Sequence, residues 1–123
     1  MLAALAACRT PRDATELYGT YVAEYPFGKD KLILKPGGEY FQEVTITGKA
    51  AVATTTGRWS YEPATGYITL KNPLVVADAL GKLQPNYDKP FVGDAGLPVI
   101  EWFFRDLLIG GDEGVQYKKI SSG

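Results

Sequence analysis

Three short segments of this chain share one form, a glycine followed two positions later by a large aromatic residue. They are Gly19-Thr-Tyr21, Gly38-Glu-Tyr40 and Gly57-Arg-Trp59, and their glycines are spaced 19 residues apart. Residues i and i+2 lie on one face of a β-strand, where a missing Cβ leaves room for a neighbouring side chain. The spacing is about the length of two strands with their turns. The repeat therefore predicts an antiparallel β-meander.

Alternating polarity and turn residues predict where the strands of this meander lie. Proline and glycine at Pro36-Gly37-Gly38 are suited to a type II turn, and similar signals occur near residues 26–28, 48–49 and 62–66. We expect Gly57 to mark a bulge or a sharp bend. The predicted strands are 17–25, 31–35, 39–47, 51–61 and 67–71.

The segment from residue 72 to residue 98 departs from the alternating pattern. It holds four prolines and three glycines, which predicts a long loop, and a helix of one or two turns is conceivable only within residues 74–83. The loop is either a structural cover over the sheet or a surface for a ligand or partner. Residues 99–109 suit a buried strand or a short buried helix, and the glycine-rich turn that follows favours the strand.

These elements together predict an all-β fold. We expect an antiparallel meander that closes into a small barrel of about seven to eight strands, because no turn up to Gly66 leaves room for a crossover helix. The predicted organisation is a tail over residues 1–16 and one domain over residues 17–123. At 123 residues the chain is long enough to bury one core without disulfides.

Composition argues against several functions. The net charge of −1 gives no electrostatic footprint for nucleic acid, and the absence of histidine removes the commonest general base and metal ligand. We therefore expect no catalytic residue, no metal and no cofactor. An enzyme that uses two carboxylates facing each other across the strands is the least favoured hypothesis. Gly110-Gly111-Asp112-Glu113 resembles the catalytic tetrapeptide of diguanylate cyclases, but we interpret it as a hairpin turn because that domain is longer than this chain.

The first residues of the chain have a distinct character. Residues 1–7 are apolar and lead into Leu5-Ala6-Ala7-Cys8, which resembles the lipobox of bacterial lipoproteins, where the cysteine is acylated and becomes the first residue of the mature chain. No basic residue precedes the apolar run, which we interpret as a late start codon or a truncated signal peptide. The alternative is an ordinary tail with an incidental thiol. Arg9 stands where many inner-membrane lipoproteins have aspartate, and this similarity indicates the outer membrane.

The lipobox and the strand motifs together resemble small bacterial lipoproteins with a lipocalin-like antiparallel β domain. The motifs are Leu17-Tyr-Gly-Thr-Tyr21, residues 34–40, Thr56-Gly-Arg-Trp59 and Ile68-Thr-Leu70. The resemblance implies a lipid-anchored protein of the bacterial envelope, on the periplasmic face of the outer membrane. It carries no catalytic residue, since many such proteins have no assigned activity.

Two functional hypotheses follow. The first is a non-enzymatic binding or accessory module that meets another envelope protein or membrane complex through the long loop. The second is a carrier of a small apolar ligand inside the barrel, which requires a cavity. Lipidation is assigned to Cys8, and the candidate ligand or partner residues are aromatic: Tyr21, Tyr40, Trp59, Tyr87, Phe91 and Trp102.

Overall fold

A computed structural model describes residues 8–9, 11–102, 107–110 and 116–122 of the chain. Within these ranges the protein consists of β-strands and one short 3-10 helix, which spans Ala14–Leu17. Asp13 caps this helix, and its side chain accepts a hydrogen bond from the Thr15 amide. The strands are β1 (Cys8–Arg9), β2 (Gly19–Tyr25), β3 (Gly28–Lys35), β4 (Glu39–Ile46), β5 (Ala53–Glu62), β6 (Tyr67–Lys71), β7 (Asp94–Trp102), β8 (Leu107–Gly110) and β9 (Gln116–Ser121).

Strands β2 to β9 form a closed antiparallel barrel. Each strand pairs with the next along the chain, and β9 pairs with β2, which leaves the eight strands without an open edge. The two-residue strand β1 pairs with the last residues of β7. The predicted all-β meander and its closure are confirmed, and the architecture is consistent with a lipocalin-like fold.

The two ends of the barrel follow from the alternating strand directions. The β2–β3 and β4–β5 turns and the long β6–β7 connection lie at one end, which we call the strap end. The N-terminal segment lies at the opposite end, where the Tyr61 hydroxyl donates to the Pro11 carbonyl at 2.7 Å. Leu17 is fully buried, and the Tyr21 hydroxyl donates to its carbonyl at 2.8 Å. These contacts close the second end.

The barrel interior is built from side chains that alternate along each strand. In β2 one alternating face is buried and includes Tyr21, Ala23 and Tyr25, while Glu24 on the other face is exposed. Strands β3 and β4 show the same alternation. The buried positions follow the two-residue period of a strand, because one residue step moves a side chain to the other face of a sheet.

Gly57 lies within the regular pairing of β5 with β4, so the bulge that was one of the two alternatives predicted there does not form against β4. It stands directly opposite Tyr40 in the unbroken register between β4 and β5. A Cβ at this position would lie 2.7 Å from Tyr40 Cε2 and 2.9 Å from the Lys71 carbonyl oxygen. The glycine is needed because the Tyr40 ring crosses it to donate a hydrogen bond to Lys71 at 2.6 Å. A register shift lies instead between Thr20 and Tyr21 in the pairing of β2 with β9.

The second half of the chain differs from the prediction in two respects. The possible helix within residues 74–83 does not form, and the segment consists of turns with two isolated bridges, Leu74 with Pro90 and Ala77 with Leu83. Residues 99–109 contribute to two strands, the end of β7 and part of β8. Pro98 is tolerated inside β7 because it stands where the partner of this strand changes from β6 to β8.

Candidate functional site

The long connection between β6 and β7 is held at a narrow neck. The Asn72 amide donates to the Gly93 carbonyl at 2.8 Å, and the Gly93 amide donates to Asn72 Oδ1 at 2.9 Å. Asn72 has a φ of 52° and Gly93 a φ of 138°, so both residues turn the chain with backbone angles that most side chains avoid. We call residues 73–92, which lie between them, the strap.

The strap has its own internal hydrogen bonds. The Gln84 side chain donates to the Val75 carbonyl at 2.7 Å, and the Phe91 amide donates to the Pro73 carbonyl at 2.8 Å. Asp78 accepts from the amides of Leu80 and Lys82 at 2.8 and 3.0 Å. The amide of Lys82 and then that of Leu80 lower the pKa of the Asp78 carboxyl. The strap is therefore an Ω-type loop that holds its own shape.

The inner face of the strap covers the barrel interior. Leu74, Val76 and Ala77 are buried and belong to the same apolar cluster as the inward side chains of the strands. The Gln42 carboxamide binds Leu74 from below, accepting from its amide at 2.8 Å and donating to its carbonyl at 2.9 Å. The structural cover considered for this segment is thus present, and the outer face remains available as a surface.

A buried polar cluster supports this contact. Gln42 is 1% exposed and Asp30 is 2% exposed, and the Gln42 Nε2 atom lies 3.1 Å from both Asp30 carboxyl oxygens. The Tyr117 hydroxyl donates to Asp30 Oδ2. The cluster joins β3, β4 and β9 to the strap. The sequence analysis did not predict this cluster. Gln42 alternates with Tyr40 and Val44 along β4, and a polar residue at such a position is the signal that points to it.

The first three predicted aromatic residues lie inside the barrel. Tyr21 and Tyr40 are fully buried, and Trp59 is nearly so. The Trp59 indole donates to the Lys35 carbonyl at 3.0 Å and its ring meets Tyr18 edge-on at 6.1 Å. Burial raises the pKa of Tyr40 to about 12 and raises that of Tyr21 further still. These rings fill the core and satisfy their polar atoms on backbone carbonyls.

A small cavity remains between the strap and the barrel wall. Its volume is about 30 Å³. Strap residues Pro73, Leu74 and Val75 form one side, and Leu70, Leu97 and Tyr117 are among the residues of the other. In this closed arrangement the cavity is far smaller than the roughly 300 to 1,000 Å³ of small-molecule sites.

The other predicted aromatic residues do not join this interior group. Tyr87 is partly buried on the strap, with Lys49 Nζ 5.9 Å from its ring, and Phe91 is 49% exposed. Trp102 ends β7, where its backbone pairs with Cys8. The six residues therefore divide among the core, the strap and the far end of β7. Residues 111–113 of the glycine-rich tetrapeptide lie outside the described residues.

Among the described residues at this end of the barrel, the most exposed apolar side chains lie on the outer face of the strap. Val92 is 93% exposed and Leu80 is 80% exposed, and both lie close in sequence to lysines at positions 82 and 89. A groove of about 710 Å³ runs along the strap and is lined by Val75, Gln84, Asn86, Lys89, Pro90, Phe91 and Ala95. The strap thus presents apolar and cationic groups next to each other.

The part of the chain that the structure describes holds no group of three or more cysteine, aspartate or glutamate residues placed to bind a metal ion. Among the carboxylates on the strands, Glu43 forms an ion pair on the barrel exterior, with its Oε1 atom 3.2 Å from Lys31 Nζ. None of the helices in the described ranges has the length and apolar character needed to cross a membrane. Comparisons with protein-family models, curated proteins and solved structures find no match to this chain.

Proposed function

We propose that this protein is a non-enzymatic binding or accessory module of the bacterial envelope. It is held on a membrane by acylation of Cys8 and meets another envelope protein with the outer face of the strap. The observation that carries the proposal is the exposure of Leu80, Phe91 and Val92 on one connection at one end of the barrel. Grouped exposed apolar residues with a polar surround are typical of interaction surfaces.

The position of Cys8 supports this arrangement. Cys8 pairs with Trp102 at the end of β7, whereas the strap joins β7 at its beginning, next to Asp94. Eight residue steps along the strand separate the two points, about 26 Å at 3.3 Å per residue. An acyl chain on Cys8 would therefore hold the opposite end of the barrel near the lipid and direct the strap away from it.

The strap surface is tested by capture from native membranes. The double variant Phe91→Ser and Val92→Ser should lose the bound partner, because it removes the exposed apolar groups without touching the barrel interior. Ile120→Ser removes a 63% exposed apolar residue from β9 and serves as the matched control, which should retain the partner. Equal capture by both variants would contradict the role of the strap.

The anchor is tested separately in the protein with its complete leader sequence. Two or three acyl chains hold a protein on a membrane far more firmly than one chain does. Cys8→Ser should therefore release the protein from its membrane or mislocalise it, and mass spectrometry of the native protein should find acyl groups on Cys8. A free thiol on a soluble native protein would contradict lipidation and leave the strap proposal standing.

A carrier of a small apolar ligand is the second candidate. The cavity of about 30 Å³ beside the strap marks the place where such a ligand would enter. A ligand of ordinary size would require the strap to move, because inward side chains that include Tyr21, Tyr40 and Trp59 are packed together in the barrel core. Delipidated protein should then bind a fluorescent fatty acid with one-to-one stoichiometry, whereas a filled barrel should not.

A further inference from the structure

The strap is joined to the barrel by few polar contacts compared with the contacts inside it. Among the described residues, hydrogen bonds from residues 73–92 to the rest of the chain all involve the Gln42 side chain, which binds the amide and carbonyl of Leu74. The other hydrogen bonds of the strap are internal, such as those of Gln84 and Phe91. A cation–π contact between Lys49 and the Tyr87 ring also joins the strap to the barrel.

The neck supplies the hinge that such a segment needs. Asn72 and Gly93 face each other through two hydrogen bonds, and both have positive φ. Hinges are a few residues at the ends of elements that absorb a change of backbone angles. Local opening without global unfolding needs little hydrogen bonding to be broken, and the strap keeps most of its hydrogen bonds within itself.

We propose that the strap opens as one unit about the Asn72–Gly93 neck and that Gln42 is the latch that holds it closed. In the open state the internal hydrogen bonds of the strap persist, while Leu74, Val76 and Ala77 leave the barrel. Opening uncovers the apolar interior beside Leu70 and the polar cluster of Asp30, Gln42 and Tyr117. The inference does not depend on the proposed partner or on the anchor.

Thiol labelling measures this opening directly. Because Cys8 is the one cysteine of the chain, Cys8→Ser gives a background without thiols. Val76→Cys then places a thiol under the strap, and Val44→Cys places one inside the barrel wall, since both valines are fully buried. We expect the thiol at position 76 to react with an aromatic disulfide reagent at least about tenfold faster than the thiol at position 44. Equal rates would overturn the proposal, because the strap would then open only when the barrel unfolds.

The latch is tested by Gln42→Met, which keeps the length of the side chain and removes both hydrogen bonds to Leu74. The loss of two hydrogen bonds of ordinary strength should raise the labelling rate at position 76 about tenfold or more, with a smaller change at position 44. A parallel increase at both positions would contradict a latch role and indicate general destabilisation.

The neck gives a second pair of variants if loss of Gln42 prevents folding. Asn72→Gly tolerates the positive φ but loses the side-chain acceptor for the Gly93 amide, whereas Asn72→Asp keeps an acceptor oxygen. Labelling at position 76 should rise by about threefold or more in the glycine variant and stay near the parent value in the aspartate variant. Unchanged labelling in both variants would show that the neck does not control the strap.

Discussion

The barrel wall and the strap bury similar side chains but hold them by different means. Val44 on β4 and Val76 on the strap are both fully buried within one apolar cluster. Val44 lies in a strand whose backbone is paired on both sides, by β3 and by β5. The backbone of the strap is tied to the barrel through the neck and the side chain of Gln42.

A buried side chain therefore does not by itself show that its backbone is held firmly in place. In the wall, a local opening must break two hydrogen-bond ladders, so the strands are expected to unfold together. In the strap, an opening breaks a few contacts while the internal bonds survive. The same apolar surface can therefore stabilise the closed state in both regions and yet contribute differently to global unfolding.

The largest expected effect comes from overpacking the wall at Gly57. Gly57→Val adds side-chain atoms where a Cβ alone would lie 2.7 Å from the Tyr40 ring and 2.9 Å from the Lys71 carbonyl. We expect the free energy of unfolding to fall by about 3 kcal/mol, measured from the urea midpoint. Gly96→Val on β7 is the matched control, since its nearest contact would be 3.7 Å away. Equal urea midpoints for the two variants would show that the close contacts at Gly57 do not limit the side chain that this position accepts.

The wall was largely predictable because its evidence is local. The strand predicted over residues 67–71 has the bounds of β6 in the structure. The glycine repeat predicted the meander correctly, although its glycines have different structural roles. Gly38 lies in a turn, whereas Gly57 makes room for Tyr40. Equal spacing in the sequence thus reflected similar strand lengths and not one structural role.

The strap and the polar cluster were not predictable to the same degree because they depend on contacts between distant residues. Gln42 meets Leu74 32 residues later, and Asp30 meets Tyr117 87 residues later. The prediction also began the second strand at residue 31, although β3 starts at Gly28 and includes Asp30. Residues 99–109 contribute to two strands, but the periodicity of these residues gave no signal of this division. Periodicity cannot distinguish buried elements of this kind.

Matched truncations in the two regions sharpen the comparison. Val44→Ala should lower the free energy of unfolding by about 2 kcal/mol, because it removes two buried methyl groups from a wall that cannot collapse freely. Val76→Ala should lower it by about 1 kcal/mol or less, since the strap can adjust or open before the barrel unfolds. Urea unfolding followed by tryptophan fluorescence gives both values. A larger loss for Val76→Ala would mean that the strap is an integral part of the wall.

Alkaline pH tests the wall through its buried tyrosines. Tyrosine in an unfolded chain has a pKa of about 10, and burial raises the pKa of Tyr40 to about 12 in the folded protein. The unfolded chain therefore loses a proton that the folded chain retains. Stability should be unaffected by this residue below pH 10 and should fall as the pH rises towards 12, by at most about 1.4 kcal/mol per pH unit.

The variant Tyr40→Phe should reduce this alkaline slope in a pH series of urea midpoints, even though it lowers stability at neutral pH by removing the hydrogen bond to Lys71. Tyr67→Phe removes the hydroxyl of a half-exposed tyrosine from the same barrel and controls for the loss of one phenol. An alkaline slope that both substitutions leave unchanged would show that burial of Tyr40 does not control this stability loss.

The smallest expected effect on folding comes from the outer face of the strap. Leu80→Ser and Val92→Ser replace side chains that are already 80% and 93% exposed. Each should change the free energy of unfolding by less than about 0.5 kcal/mol, as for most surface substitutions. A thermal or urea midpoint for each variant checks this, with Val76→Ala as the buried reference. A loss above about 1 kcal/mol would place these side chains in the fold. If the midpoints hold, folding does not account for apolar residues at these positions, and an interaction through the strap gives them a physical role.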